Sequence, residues 1–204
     1  MTTLADAPPI WNVANALTIL RLVMVPAVAW TLAIGTPGLG WTAAALFAAA
    51  ALTDHLDGHL ARSRGLVTDF GKIADPIADK ALIGVTLIVL SWTRQLSWWV
   101  TGLILLREVG ITVLRFCVIR YRVIAASMGG KVKTVVQIIA ILLYVIPVPA
   151  SWTWLQWTAV VLMVVAVALT LATGAEYVYQ VVVLLRAAHS KEPGGAAAGE
   201  EGKN

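Results

Sequence analysis

Residues 41–79 read WTAAALFAAAALTDHLDGHLARSRGLVTDFGKIADPIAD. An uncharged run over 41–53 passes without a break into carboxylates, histidines and arginines, and the charges recur at helical intervals. A bilayer core of roughly 30 Å takes about 20 apolar residues per helix. Residues 41–63 are long enough for one such crossing, which puts Asp54 and Asp57 near one membrane face.

Working outward, five further segments have span-like length: 14–34, 76–91, 97–118, 132–146 and 154–185. The last is long enough to tilt strongly or protrude. Composition agrees: of 204 residues 59% are hydrophobic and 13% charged, against about a quarter charged in soluble domains. The expected fold is all-α, a polytopic membrane protein with six transmembrane helices. Its expected organisation is an N-terminal cytoplasmic segment over 1–13, a catalytic membrane domain over 14–186 and a disordered cytoplasmic tail over 187–204, where hydrophobic bulk is low. No cleavable leader is expected, because MTTLADAPPIWNVAN lacks a basic region.

Connecting segments decide the orientation. GTPGLGW and VPVPASW carry no basic residue, and WTRQLSWW carries only Arg94. Arg62, Arg64 and Lys72 follow the second span, Arg120, Arg122, Lys131 and Lys133 the fourth, and Arg186 and Lys191 the sixth. Excess Lys and Arg mark the cytoplasmic side, so both termini and the aspartates are expected there, in the inner membrane. Trp41, Trp92, Trp98, Trp99, Trp152, Trp154 and Trp157 cluster at the opposite interface. The net charge of +4 gathers at span ends, which suits anionic headgroups and phosphorylated substrates and argues against nucleic acid.

An ionisable residue within a membrane helix costs about 2.5–3.5 kcal/mol on insertion scales and marks function by default. Asp54 and Asp57 lie three residues apart, Asp75 and Asp79 four apart, so each pair shares a helical face. Four carboxylates at one depth repel each other, and a divalent cation keeps them ionised. Hard oxygen donors suit Mg²⁺ or Mn²⁺. Pro76 fits a first helical position, with Asp75 as the expected N-cap. An interfacial salt-bridge network with Arg62, Arg64, Lys72 and Lys80 could account for a single aspartate, but less readily for two helical pairs with Gly58 and Ala61 on the same side. His55 and His59 permit a zinc pair by spacing, yet beside four carboxylates they read as packing or headgroup contacts. Cys117, the single cysteine, reads as a small buried hydrophobe.

From Asp54 to Asp79 the chain satisfies DxxDGxxAR, eight residues, then GxxxDxxxD, with no departure. This resembles the CDP-alcohol phosphotransferase family. Softer matches at NVANALTILRLVMVP, REVGITVLR and GKVKT resemble the branch that uses glycerol 3-phosphate. The resemblance implies a six-helix fold, commonly a homodimer, that transfers a phosphatidyl group from CDP-diacylglycerol to an alcohol and releases CMP. It implies two metal ions on Asp54, Asp57, Asp75 and Asp79, with Asp79 as general base. Asp57, Gly58, Ala61, Arg62 and Gly71 would accommodate the cytidine diphosphate.

Glycerol 3-phosphate carries its own phosphate, so a second basic site is expected. Arg115, Lys131 and Lys133 are the first candidates, with Arg107 and Arg21 behind them; Arg107 and Arg115 stand about two turns apart on one helix. Glu108 is equally a structural partner for an arginine or a substrate contact, and Glu176 has no evident partner. Other acceptors, inositol phosphate or phosphatidylglycerol, stay open, as does a six-helix cation transporter.

Overall fold

The computed structural model describes residues 13–64, 69–118 and 128–189, with side chains described for 15–53, 77–78, 80–115 and 129–186. Among the described residues there are six helices and no strand: α1 Val13–Ile34, α2 Pro37–Arg64, α3 Asp69–Trp92, α4 Trp98–Val118, α5 Met128–Val145 and α6 Thr153–His189. The fold is the six-helix, all-α membrane architecture expected from the spans.

Three helix boundaries differ from the sequence expectation, each for a local reason. The segment over 35–41 was expected as a connection, but α2 already begins at Pro37. Gly35 ends α1 with φ of 73°, a conformation glycine adopts at little cost. The Thr36 carbonyl then accepts from the Gly40 amide at 2.9 Å, which makes Thr36 the N-cap and Pro37 the first helical residue, where a missing N–H costs nothing. The second boundary concerns α3, which starts at Asp69. Asp75 and Pro76 therefore lie inside the helix, and Asp75 is not its N-cap. An interior proline removes one backbone bond, and α1 carries one as well at Pro26; surrounding helices make such breaks tolerable in membrane bundles. The third is α6, which runs to His189, three residues into the expected tail. Its 37 residues span about 55 Å, well beyond a bilayer core.

The α3–α4 turn is closed by a Schellman motif. Gln95 N donates to Leu90 O at 2.9 Å and Arg94 N to Ser91 O at 3.1 Å, with Arg94 left-handed at φ 60°. Ser97 caps α4, its carbonyl accepting from Val100 N at 3.0 Å. An L side chain in the left-handed region costs roughly 1–2 kcal/mol, partly offset in a glycine variant by a freer unfolded chain. Arg94→Gly is therefore expected to raise the melting temperature of the detergent-solubilised protein by about 2 °C.

Packing brings three connections to one end of the bundle. A Cβ on Gly40 would meet Pro147 Cβ and Cγ at 3.1 Å, so glycine there lets the start of α2 touch the α5–α6 connection. Gln95, Leu96 and Ser97 line a cavity together with Tyr144 near the end of α5. Helix α1 packs on α2 and α3, α5 on α6, and α4 on α3 and α6. The buried interior includes Val28, Leu32, Ala43, Phe47, Ala50, Leu87, Leu90, Ile104, Ala140, Ile141 and Ala166. Small residues on the inner face of α2 let backbones approach closely, as association within lipid requires. Ser91 Oγ and Thr101 Oγ1 lie 2.7 Å apart in the buried seam between α3 and α4.

The outside is apolar. Val161, Val164, Leu171, Val178 and Leu106 are exposed, as are Trp30, Trp41, Trp92, Trp98, Trp99, Trp152, Trp154 and Trp157. A surface of this kind needs lipid as its solvent. Residues Asn15–Ile34 and Thr153–Arg186 are each long and apolar enough to cross a membrane unaided. The apolar stretches Pro37–Thr53 and Lys80–Trp92 are shorter, because charged residues occupy the rest of α2 and α3.

Candidate active site

Helix α2 carries Asp54 and Asp57 toward its C-terminal end, and α3 carries Asp75 and Asp79 in its N-terminal half. The two helices are in contact, and both pack on α1. Helical backbone at all four positions gives the i, i+3 and i, i+4 spacings that place each pair on one side. The side chains of these aspartates, and of Gly58, Ala61, Arg62, Gly71, His55, His59 and Cys117, lie outside the described residues. Among the described residues no group of three or more His, Cys, Asp or Glu side chains could hold a metal. Five of the chain's eleven acidic residues fall within 54–79. As a donor set, two carboxylate pairs on contacting helices fit a hard divalent cation.

On the neighbouring wall, α1 presents Asn15, Thr18 and Arg21 at three-residue intervals, all buried. A repeating three-residue step keeps them on adjoining positions of one face. That face is a polar stripe in an otherwise apolar helix, and Arg21 is fully enclosed. Arg21 thus belongs to the α1–α2–α3 half of the molecule and not with the other candidate cations.

The remaining candidates gather where α4, α5 and α6 meet. Arg107 Nε donates to the Thr170 carbonyl at 3.1 Å, and Nη2 donates to Thr173 Oγ1 at 2.8 Å. Nη1 pairs with Glu108 Oε1 at 3.3 Å. Gly174 makes room for this crossing, since a Cβ there would come within 3.2 Å of Arg107 Cγ. Lys133, buried on α5, donates to the same Glu108 oxygen. The Glu108 carbonyl accepts from Thr112 Oγ1 at 2.7 Å, and Thr112 in turn accepts from Lys80 on α3, the residue next to Asp79.

Two turns beyond Arg107, the exposed Arg115 guanidinium lies 5.8 Å from the centre of the Tyr177 ring on α6. Lys131 is exposed. The structure therefore joins Arg107 and Lys133 through one carboxylate, holds Arg115 on the same α6-facing side of α4, and leaves Lys131 outside that network. Glu176 gains a partner the sequence did not suggest, accepting from Gln180 Nε2 at 3.3 Å one turn along α6. Thr170, Thr173 and Gly174 were also missed; their signal is a pair of hydroxyls three apart followed by glycine within an apolar span.

Comparison with known proteins bears on these helices directly. Residues 11–172 match the family model described as CDP-alcohol phosphatidyltransferase. A probable phosphatidylglycerophosphate synthase of Mycobacterium tuberculosis (strain CDC 1551 / Oshkosh) is 52% identical over 180 residues, covering 86% of this chain and 84% of the relative. A CDP-diacylglycerol–glycerol-3-phosphate 3-phosphatidyltransferase of Rickettsia bellii is 35% identical over 168 residues, covering 81% and 93%. One of the same description from Escherichia coli (strain K12) is 32% identical over 173 residues, covering 82% and 93%. The match takes in both aspartate-bearing helices, the buried stripe of α1 and the Arg107–Glu108–Lys133 group, and the chain belongs to the CDP-alcohol phosphatidyltransferase family.

Proposed function

We propose that the chain transfers the phosphatidyl group of CDP-diacylglycerol to sn-glycerol 3-phosphate, giving phosphatidylglycerophosphate and CMP. The observation that carries this reading is the unbroken aspartate signature laid along two contacting helices, α2 and α3. The names of the relatives above support the choice of acceptor.

Asp54, Asp57, Asp75 and Asp79 would hold two Mg²⁺ or Mn²⁺ ions, whose charge offsets that of the pyrophosphate and favours departure of CMP. Asp57, Gly58, Ala61, Arg62 and Gly71 take the cytidine diphosphate; small residues leave room, and the Arg62 guanidinium matches phosphate geometry. Asp79 accepts the proton of the acceptor's primary hydroxyl as that oxygen attacks the lipid-side phosphorus. The bond from that phosphorus to the CMP oxygen breaks, and CMP leaves. No covalent enzyme intermediate is required.

Of the five candidate cations, Lys133 holds the phosphate of the acceptor with Arg115 on the α6-facing side of α4 and Arg107 behind them, while Arg21 on α1 and the exposed Lys131 stand apart from that network. The basic connecting segments support an active site and both termini on the cytoplasmic face of the inner membrane. Residues 14–186 act as one catalytic domain, 187–204 as a tail, and the working unit is a homodimer.

The test is turnover by purified full-length protein in detergent with Mg²⁺ or Mn²⁺, radiolabelled CDP-diacylglycerol and a panel of acceptors. Phosphatidylglycerophosphate and stoichiometric CMP are expected with glycerol 3-phosphate. Preference for inositol phosphate or phosphatidylglycerol would replace the acceptor. Metal flux in liposomes without lipid product would replace the enzyme with a cation transporter.

A further inference from the structure

The two cations that meet on Glu108 are not equivalent. Arg107 commits all three nitrogens to protein: Nε to the Thr170 carbonyl, Nη2 to the Thr173 hydroxyl and Nη1 to Glu108. It is tied to α6 at two points and to Glu108 at a third, so its position is fixed, with one N–H left on each of Nη1 and Nη2. Lys133 is held at one point instead of three. An ammonium has three N–H donors, and among the described residues its one bond is to Glu108 Oε1, so two are available on a buried side chain.

A lysine on a four-carbon stem samples many rotamers unless something holds its head. Glu108 supplies that hold, and Glu108 is itself held: its carboxylate by Arg107, its turn of α4 by the Thr112 hydroxyl. The relay runs from α6 through Arg107 and Glu108 to Lys133 on α5. Among the described residues two cations share this one carboxylate, which leaves a surplus positive charge on the Arg107–Glu108–Lys133 group within an apolar bundle. Such a charge is expensive without an anion.

We infer that Glu108 is a positioning residue, anchored by Arg107, that aims the two open N–H groups of Lys133 at the phosphate dianion of the acceptor. This rests on the acceptor reading above, and it separates the cations by role: Arg107 is the anchor, Glu108 the aiming group and Lys133 the phosphate contact.

Full-length protein in detergent is to be measured in two ways: steady-state kinetics with both substrates, and thermal protection by glycerol 3-phosphate and by inorganic phosphate. Glu108→Gln is expected to raise KM for glycerol 3-phosphate at least tenfold while KM for CDP-diacylglycerol stays within twofold. Glu108→Asp keeps the charge and should recover most of the loss; it also serves as the test variant if Glu108→Gln does not fold. Lys133→Ala should show the same rise, and the double variant no more than Lys133→Ala alone. Exchanging the charges as Glu108→Lys with Lys133→Glu restores a strut but moves the cation to α4, so KM should stay raised.

An unchanged acceptor KM in Glu108→Gln, additive single effects, or full recovery on charge exchange would each overturn the inference. Wild-type protein that makes no phosphatidylglycerophosphate, yet is protected by either phosphate in a Glu108-dependent way, would sink the activity and leave the positioning role standing. Wild-type protein that neither turns over nor is protected would remove both.

Discussion

Asp79→Asn is expected to lower kcat about a thousandfold while the protein stays folded. Asparagine keeps the shape of the side chain and one oxygen donor but removes its charge and its capacity to accept a proton. If Asp79 is both a metal ligand and the base, two losses fall on one position: general-base catalysis is worth about 10²–10⁴-fold, and an ion loses part of its charge compensation. Asp57→Asn and Asp75→Asn should fall nearly as far. Removing divalent ions with a chelator should abolish turnover in the wild type, with recovery on adding Mg²⁺ or Mn²⁺. The measurement is kcat at saturating CDP-diacylglycerol and glycerol 3-phosphate, with melting temperature as the control for folding. Near-normal turnover in all three variants would reduce the aspartates to an interfacial salt-bridge network.

Arg107 and Arg115 stand on the same side of α4, yet their alanine variants should fail in different ways. Arg107→Ala removes three hydrogen bonds, two of them tying α4 to α6, and leaves Glu108 facing Lys133 alone. Hydrogen bonds to charged groups contribute about 1.5–3 kcal/mol each and do not add fully. A loss of about 3 kcal/mol is expected, or roughly 6–12 °C in melting temperature for a chain of this size. Arg115 is exposed and lies over Tyr177, an arrangement worth about 0.5–1 kcal/mol. Arg115→Ala should therefore melt within about 3 °C of the wild type and show its effect as a raised KM for glycerol 3-phosphate. Equal melting temperatures for the two variants would contradict the division of roles drawn from the geometry.

Much of the α2–α3 half is legible in the sequence. Aspartates at three- and four-residue intervals, with Gly58 and Ala61 between them, define a helical face by spacing alone, because helix periodicity is a local property. The start of α3 was misread for the same reason. Pro76 is a good first helical residue locally, and only neighbouring helices make it acceptable eight residues into one. On α4, the adjacent Arg107 and Glu108 were visible as misplaced charges, but nothing local says that Arg107 crosses to Thr170 and Thr173. Those contacts span more than sixty residues of chain.

The helical spacing of the four aspartates and the six helices follow from composition and periodicity, since lipid imposes helical spans and penalises every stray charge. Where each cation sits is decided by packing. Arg21 goes inward on α1, Arg107 is fixed to α6 and Glu108, Lys131 is exposed, and Lys133 is buried and held by Glu108. A basic residue's role depends on which of its N–H groups the protein already uses, and that depends on side chains brought together from α4, α5 and α6.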